Sequence, residues 1–144
     1  MIKKHADVHW EGEGKQGQGQ ISTETGSLKQ YPYGFGSRFE DDRKGTNPEE
    51  ILGAAHAACF TMAFSFACAD AGFATKSADT KATVHLGKVE GGFEIQQIDL
   101  ELTASIDGIS PEKFTEIAEG AKKNCPLSKA LAAVPTITLK ANLV

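Results

Sequence analysis

Cysteine is scarce in this chain and odd in number: three, at positions 59, 68 and 125 of 144 residues. So small and uneven a set does not make the disulfide framework of a secreted domain, which leaves buried packing groups or redox chemistry in a reducing compartment. Arginine is scarcer still, with only Arg38 and Arg43, and acidic residues outnumber basic ones by 19 to 15 for a net charge of −4. An acidic balance gives nucleic acid no electrostatic footing. The leading Met-Ile-Lys-Lys-His carries no apolar signal region, so a cytoplasmic protein is expected. Gly12, Gly14, Gly17 and Gly19 are not followed by the Gly-Lys-Ser/Thr that would make them a phosphate loop. His5 and His9 share one side of a strand without a third ligand near them in sequence, so neither a metal nor a cofactor is expected. Repeats and long linkers are also missing, and residues 1–144 read as a single domain, large enough to bury a core without staples.

What is present is one dominant segment, Thr46 to Gly72. Asn47 can cap a helix there, Pro48 suits the first helical position, and Glu49 and Glu50 complement the positive end of the dipole. Asn47 with Glu50 approximates a capping box. From Ile51 to Ala71 nearly every position is apolar or small, and Gly72 offers a left-handed stop. Gly53, His56, Thr61 and Ser65 interrupt the run and no charged flanks accompany it, so it reads as a core helix, or two in series, rather than a membrane span.

Before this helix, residues 5–12 alternate as a half-buried strand should, and residues 12–36 suggest a meander of antiparallel strands. Ser37 to Gly45 reads as a strand end running into a charged loop. After the helix, residues 80–88 and 93–106 flank Val-Glu-Gly-Gly as a hairpin, and Ile98, Leu100, Leu102, Ala104 and Ile106 mark one buried face. Ser110-Pro111-Glu112 starts a helix with Phe114, Ile117, Ala118 and Ala121 at helical spacing, which Cys125-Pro126 breaks. A short helix and a last strand through Leu143 follow. The expected class is α+β, with a mostly antiparallel sheet around a long buried helix. One small sheet and a second helix do not cover an all-round apolar helix, so an oligomer is inferred.

The residue types leave the chemistry open. Cys59 in mid-helix could simply fill space. Cys68 lies nine residues further, about 13.5 Å along a continuous helix and on the other face, beyond the roughly 7 Å limit for a disulfide, and reads as structural. Cys125 sits at a helix break near Lys122, Lys123 and Lys129; it is either a mobile thiol favoured as thiolate or a buried link between helices. His56 precedes Cys59 by three residues, which allows a Cys/His nucleophile, although a packed or interfacial histidine fits better. Arg38 is either a positioned guanidinium or a solvated side chain, and Glu49 a first-turn carboxylate.

Taken together, His-Trp-Glu-Gly at 9–12, Pro-Tyr-Gly-Phe-Gly-Ser-Arg-Phe at 32–39, Gly-Thr-Asn-Pro-Glu-Glu at 45–50, Ala-Ala-His-Ala-Ala-Cys-Phe at 54–60 and Asn-Cys-Pro-Leu-Ser at 124–128 closely resemble the osmotically inducible protein C family. Ala55-His56 stands where the organic hydroperoxide resistance branch usually has Gly-Tyr. The resemblance implies a thiol-dependent peroxidase of the stress response, built as an intertwined homodimer with its sites at the subunit interface. It assigns Cys59 as the peroxidatic cysteine, Cys125 as the resolving one, and Arg38 and Glu49 as the polar pair beside the thiolate. It further implies an organic hydroperoxide as substrate and a dihydrolipoyl group as the dithiol reductant. Since Glu49 and Cys59 are about 15 Å apart on an unbroken helix, Glu49 would reach the site from the partner chain. The non-enzyme alternative is a stress-induced protein holding a lipid-like molecule, with thiols that only respond to oxidation.

Overall fold

The computed structural model describes all residues, Met1–Val144, and divides into two compact units, Met1–Ile51 and Leu52–Val144. The first holds an antiparallel sheet in the order β1-β2-β3, formed by β1 (Ala6–Glu11), β2 (Gln18–Thr23) and β3 (Tyr31–Gly34). Its register sets Trp10 opposite Gly19 and Gly19 opposite Tyr33. A Cβ at Gly19 would run into the Tyr33 ring, so glycine is what lets Trp10 and Tyr33 approach to 5.6 Å between ring centroids. The alternation of residues 5–12 predicts the strand correctly but not its burial. All of β1 is exposed, Val8 to 59%.

Residues 35–39 form the short helix α1 (Phe35–Phe39) where a strand end is expected. The cause is local. Ser37 Oγ accepts the Gly34 N–H at 3.0 Å and donates to the Thr46 carbonyl at 2.7 Å, closing a turn that the charged composition conceals.

α2 (Pro48–Asp70) is a single helix. Its cap is half the expected box: Asn47 Oδ1 accepts the Glu50 N–H at 2.8 Å, while Glu50 accepts the Thr46 hydroxyl at 3.2 Å instead of returning to the Asn47 backbone. By length and composition α2 could cross a membrane, with a mean hydropathy of 1.6. In the second unit it serves as a core helix along one stripe, Gly53, His56, Phe60, Phe64 and Cys68, all buried. Ala54, Ala58, Met62 and Phe66 form the opposite stripe and are exposed, Met62 to 60% and Phe66 to 64%. The all-round apolar sequence therefore conceals two faces, of which this chain covers one.

The cover comes from the sheet β4-β5-β6. β4 (Thr75–Val89) and β5 (Gly92–Ile106) make the antiparallel hairpin, and β6 (Thr136–Leu143) joins β5 in parallel. β5 is central and contributes Ile98, Leu100, Leu102 and Ala104, each with no exposed surface. α3 (Pro111–Asn124) supplies the crossover between β5 and β6 and buries the predicted Phe114, Ile117, Ala118 and Ala121. Its N-cap is Ser110, whose hydroxyl accepts the Lys113 N–H at 3.2 Å. Phe64 sits at the middle of this core, edge-on to Phe114 at 5.7 Å and 6.4 Å from Phe60. Phe64→Ala is expected to cost about 3–5 kcal/mol of stability, read as a lower denaturation midpoint at unchanged slope.

Candidate active site

The sequence-predicted site residues fall in two constellations, one in each unit. In the first, Arg38 lies in the last turn of α1 and Glu49 in the first turn of α2, and two ties fix one to the other: the Ser37 hydroxyl on the Thr46 carbonyl, and Asn47 Nδ2 donating to the Ser37 carbonyl at 3.1 Å. The guanidinium meets the carboxylate as a fork, Nη2 to Oε1 at 2.7 Å and Nε to Oε2 at 3.2 Å. Two parallel bonds fix the plane of the guanidinium as well as its position, which a lysine could not do. The Glu49 side chain is 12% exposed and that of Arg38 is 37%, so the cation keeps an open side. Arg43, by contrast, is almost fully solvated beside Asp41.

In the second unit the two cysteines separated by 66 positions are adjacent, each acting on the other's ionisation. Cys59 is half-buried on α2. Cys125 is fully buried at the junction of α3 with α4 (Pro126–Ala130), where it is the C-cap of one helix and the N-cap of the other. It is thus the buried link between helices and also a thiol facing Cys59. Pro126 explains the local shape: it cannot continue α3 but suits the first position of α4, and Cys125 takes an extended backbone between them.

The sulfurs differ in environment. Burial pushes the Cys59 thiol up and the neighbouring Cys125 sulfur pushes it further, against one backbone N–H at Leu127 that favours the thiolate. Burial also acts to raise Cys125, but it is outweighed by the Ser128 hydroxyl, the Ser128 and Leu127 N–H groups and the Cys59 thiol, which leave Cys125 below the usual thiol range. Ser128 Oγ and the Ser128 N–H each lie 3.3 Å from Sγ. Two interacting thiols ionise as a pair, and the first proton to leave belongs to the pair. The lysines near Cys125 in sequence are not among its leading influences: Lys122 closes on Glu119 at 2.8 Å, and Lys123 and Lys129 are exposed.

Ser128 is the residue that sequence reading misses. Its signal is the Cys-Pro pair, which marks a helix start as well as a break and so puts residue 128 at the third position, where an N-cap side chain receives the N–H. Ser128 Oγ also lies 2.8 Å from Nε2 of the fully buried His56. His56 therefore contacts a serine rather than a thiol, and burial lowers its pKa. Cys68 packs in the core.

The OsmC-like protein family model matches residues 40–140, crossing both units. The chain is 50% identical over 136 residues to Escherichia coli (strain K12) peroxiredoxin OsmC, an alignment covering 94% of each chain. The crystal structure of the organic hydroperoxide resistance protein OhrB of Bacillus subtilis matches with a TM-score of 0.65 at 26% identity, covering 97% of this chain and 98% of that one. An OsmC-like protein from Mycoplasma pneumoniae shares the fold at a TM-score of 0.77 and 17% identity, over 99% of this chain and 98% of that one.

The exposures set an order of access. In the native reduced protein Cys59 should react with iodoacetamide at least ~10-fold faster than Cys68, as read by peptide mass mapping; equal rates would contradict the burial described here.

Proposed function

The chain belongs to the OsmC-like protein family, and we propose that it is a thiol-dependent peroxidase that reduces organic hydroperoxides to alcohols by way of a Cys59–Cys125 disulfide. The observation that carries this reading is the adjacency of two free thiols from distant parts of the chain, one half-open and one buried. The names peroxiredoxin and organic hydroperoxide resistance protein, borne by the relatives described above, support the substrate class.

The cycle begins with the Cys59 thiolate attacking the terminal peroxide oxygen. A sulfur–oxygen bond forms, the O–O bond breaks, and the departing alkoxide takes a proton to become the alcohol. Cys59 is left as a sulfenic acid, oxidised by two electrons. The Cys125 thiolate then attacks the Cys59 sulfur, the S–S bond forms, and hydroxide leaves and is protonated to water. An external dithiol, for which a dihydrolipoyl group fits, reduces the bridge and becomes a disulfide itself.

Within its own unit Cys59 has no charged group holding it ionised, and its pKa is raised. A peroxidatic thiolate needs a cation beside it, and the guanidinium of Arg38, held open by Glu49, is the group shaped for that task and for polarising the peroxide. On the dimer reading, the Arg38–Glu49 pair of one protomer serves Cys59 of its partner. The bare stripe Ala54, Ala58, Met62 and Phe66 supports such a dimer, because it is the surface a second copy would cover. Met62, Phe66 and their neighbours also favour an alkyl peroxide over hydrogen peroxide, each buried methylene being worth about 0.8 kcal/mol. A cytoplasmic setting, kept reducing, fits free thiols.

Cys59→Ser should abolish cumene hydroperoxide consumption supported by dihydrolipoamide, whereas the parent protein turns over many times; full activity in Cys59→Ser would refute the assignment. A lipid-binding protein with responsive thiols would stop after one stoichiometric turnover. Size-exclusion chromatography at micromolar concentration should give a dimer; a monomer would overturn the shared site.

A further inference from the structure

The proposed cycle gives Cys125 a nucleophilic task but does not say what keeps a wholly buried sulfur ready for it. The answer lies in a chain of three side chains that the cycle leaves unused. His56 Nε2 is 2.8 Å from Ser128 Oγ, and Ser128 Oγ is 3.3 Å from Cys125 Sγ. His56 and Cys125 are fully buried and Ser128 is 8% exposed, so water does not compete for these contacts. His56 Nδ1 is also buried and has no partner. An orphaned buried N–H is rarer than an orphaned acceptor, which places the ring proton on Nε2 and leaves Nδ1 a bare lone pair. In that tautomer Nε2–H donates to Ser128 Oγ, which leaves the hydroxyl proton of Ser128 free to be donated to a Cys125 thiolate.

We propose that His56, through the Ser128 hydroxyl, is a positioning residue that favours the thiolate form of Cys125, the form that closes the disulfide once Cys59 has become a sulfenic acid. The inference deepens the peroxidase reading and takes from it only the role of Cys125. Because burial keeps His56 neutral, it works by fixing the direction of a hydrogen bond and not by adding charge. Ser128 delivers its hydroxyl and its own N–H to the same sulfur, and charge-assisted bonds of this kind are about twice as strong as neutral ones. When the S–S bond forms, the negative charge leaves Cys125 with the departing hydroxide, and the hydroxyl loses its anionic acceptor. Charged side chains add nothing to this hold, which Ser128 shares with the Leu127 N–H and the Cys59 thiol. The titratable neighbours of Cys125 from α2 are Cys59 and His56; on α3 and α4, Lys122 is paired with Glu119, while Lys123 and Lys129 are exposed. On the sheet, His85 and Asp99 satisfy each other at 2.7 Å.

The test is the pH titration of thiolate absorbance near 240 nm in reduced protein carrying Cys68→Ala, which needs no peroxide and no turnover. Ser128→Ala and His56→Leu should each raise the first thiol midpoint by about one pH unit or more, and the double variant should raise it no further. His56→Gln, which restores a donor, should recover most of the shift. An unchanged midpoint in Ser128→Ala overturns the proposal, and so does a shift in Ser128→Ala that His56→Leu fails to reproduce. Ser128→Ala removes a single hydroxyl and so gives a reading even if His56→Leu does not fold. Failure of the peroxidase reading would instead appear as absent peroxide consumption with these midpoints intact.

Discussion

One buried sulfur joins most of what this chain does. Cys125 is the C-cap of α3 and the N-cap of α4, faces Cys59 and lies 3.3 Å from the Ser128 hydroxyl. A backbone break at proline would ordinarily leave N–H groups of the new helix unsatisfied. Here the sulfur accepts one of them, so the same bond that caps the helix also favours the thiolate. On the proposed cycle, structural need and chemical need fall on one atom, at a helix junction that is packed in the core.

Much of this was legible in the amino-acid order. The one-faced pattern of Ile98, Leu100, Leu102 and Ala104 and the helical spacing of Phe114, Ile117, Ala118 and Ala121 are local periodicities, and both match the observed core. The α+β class with a mostly antiparallel pairing follows from them, with β6 the parallel exception. Two elements were not legible for a shared reason. α1 depends on Ser37 reaching Thr46, and the exposure of both faces of β1 is not set by its own alternation, so neither is decided by neighbouring residues in sequence. The candidate residues divide in the same way. Cys59, Cys125, Arg38 and Glu49 stand in segments that resemble family motifs, whereas Ser128 gains its meaning only when α4 brings its hydroxyl between His56 and the sulfur.

The uniform apolar character of α2 has a similar resolution. Spacing cannot choose a buried face when every face is apolar; the sheet chooses it, taking Gly53, His56, Phe60, Phe64 and Cys68. At Gly53 the helix lies against Ala82 and Val84 of β4. Cys59 lies at the margin of the chosen stripe, half-buried, which gives it the access that Cys68 lacks. The opposite stripe keeps about the same apolar character without a cover from this chain, and the proposed dimer is what would use it.

The central claim is that the redox work passes between Cys59 and Cys125 alone. It is tested most directly by treating the fully reduced protein with one equivalent of cumene hydroperoxide and mapping the resulting cross-link by mass spectrometry. The account predicts a single bridge between Cys59 and Cys125 of the same chain, with Cys68 recovered as a free thiol. A bridge that includes Cys68, or one joining Cys59 to Cys59 of another chain, would contradict it.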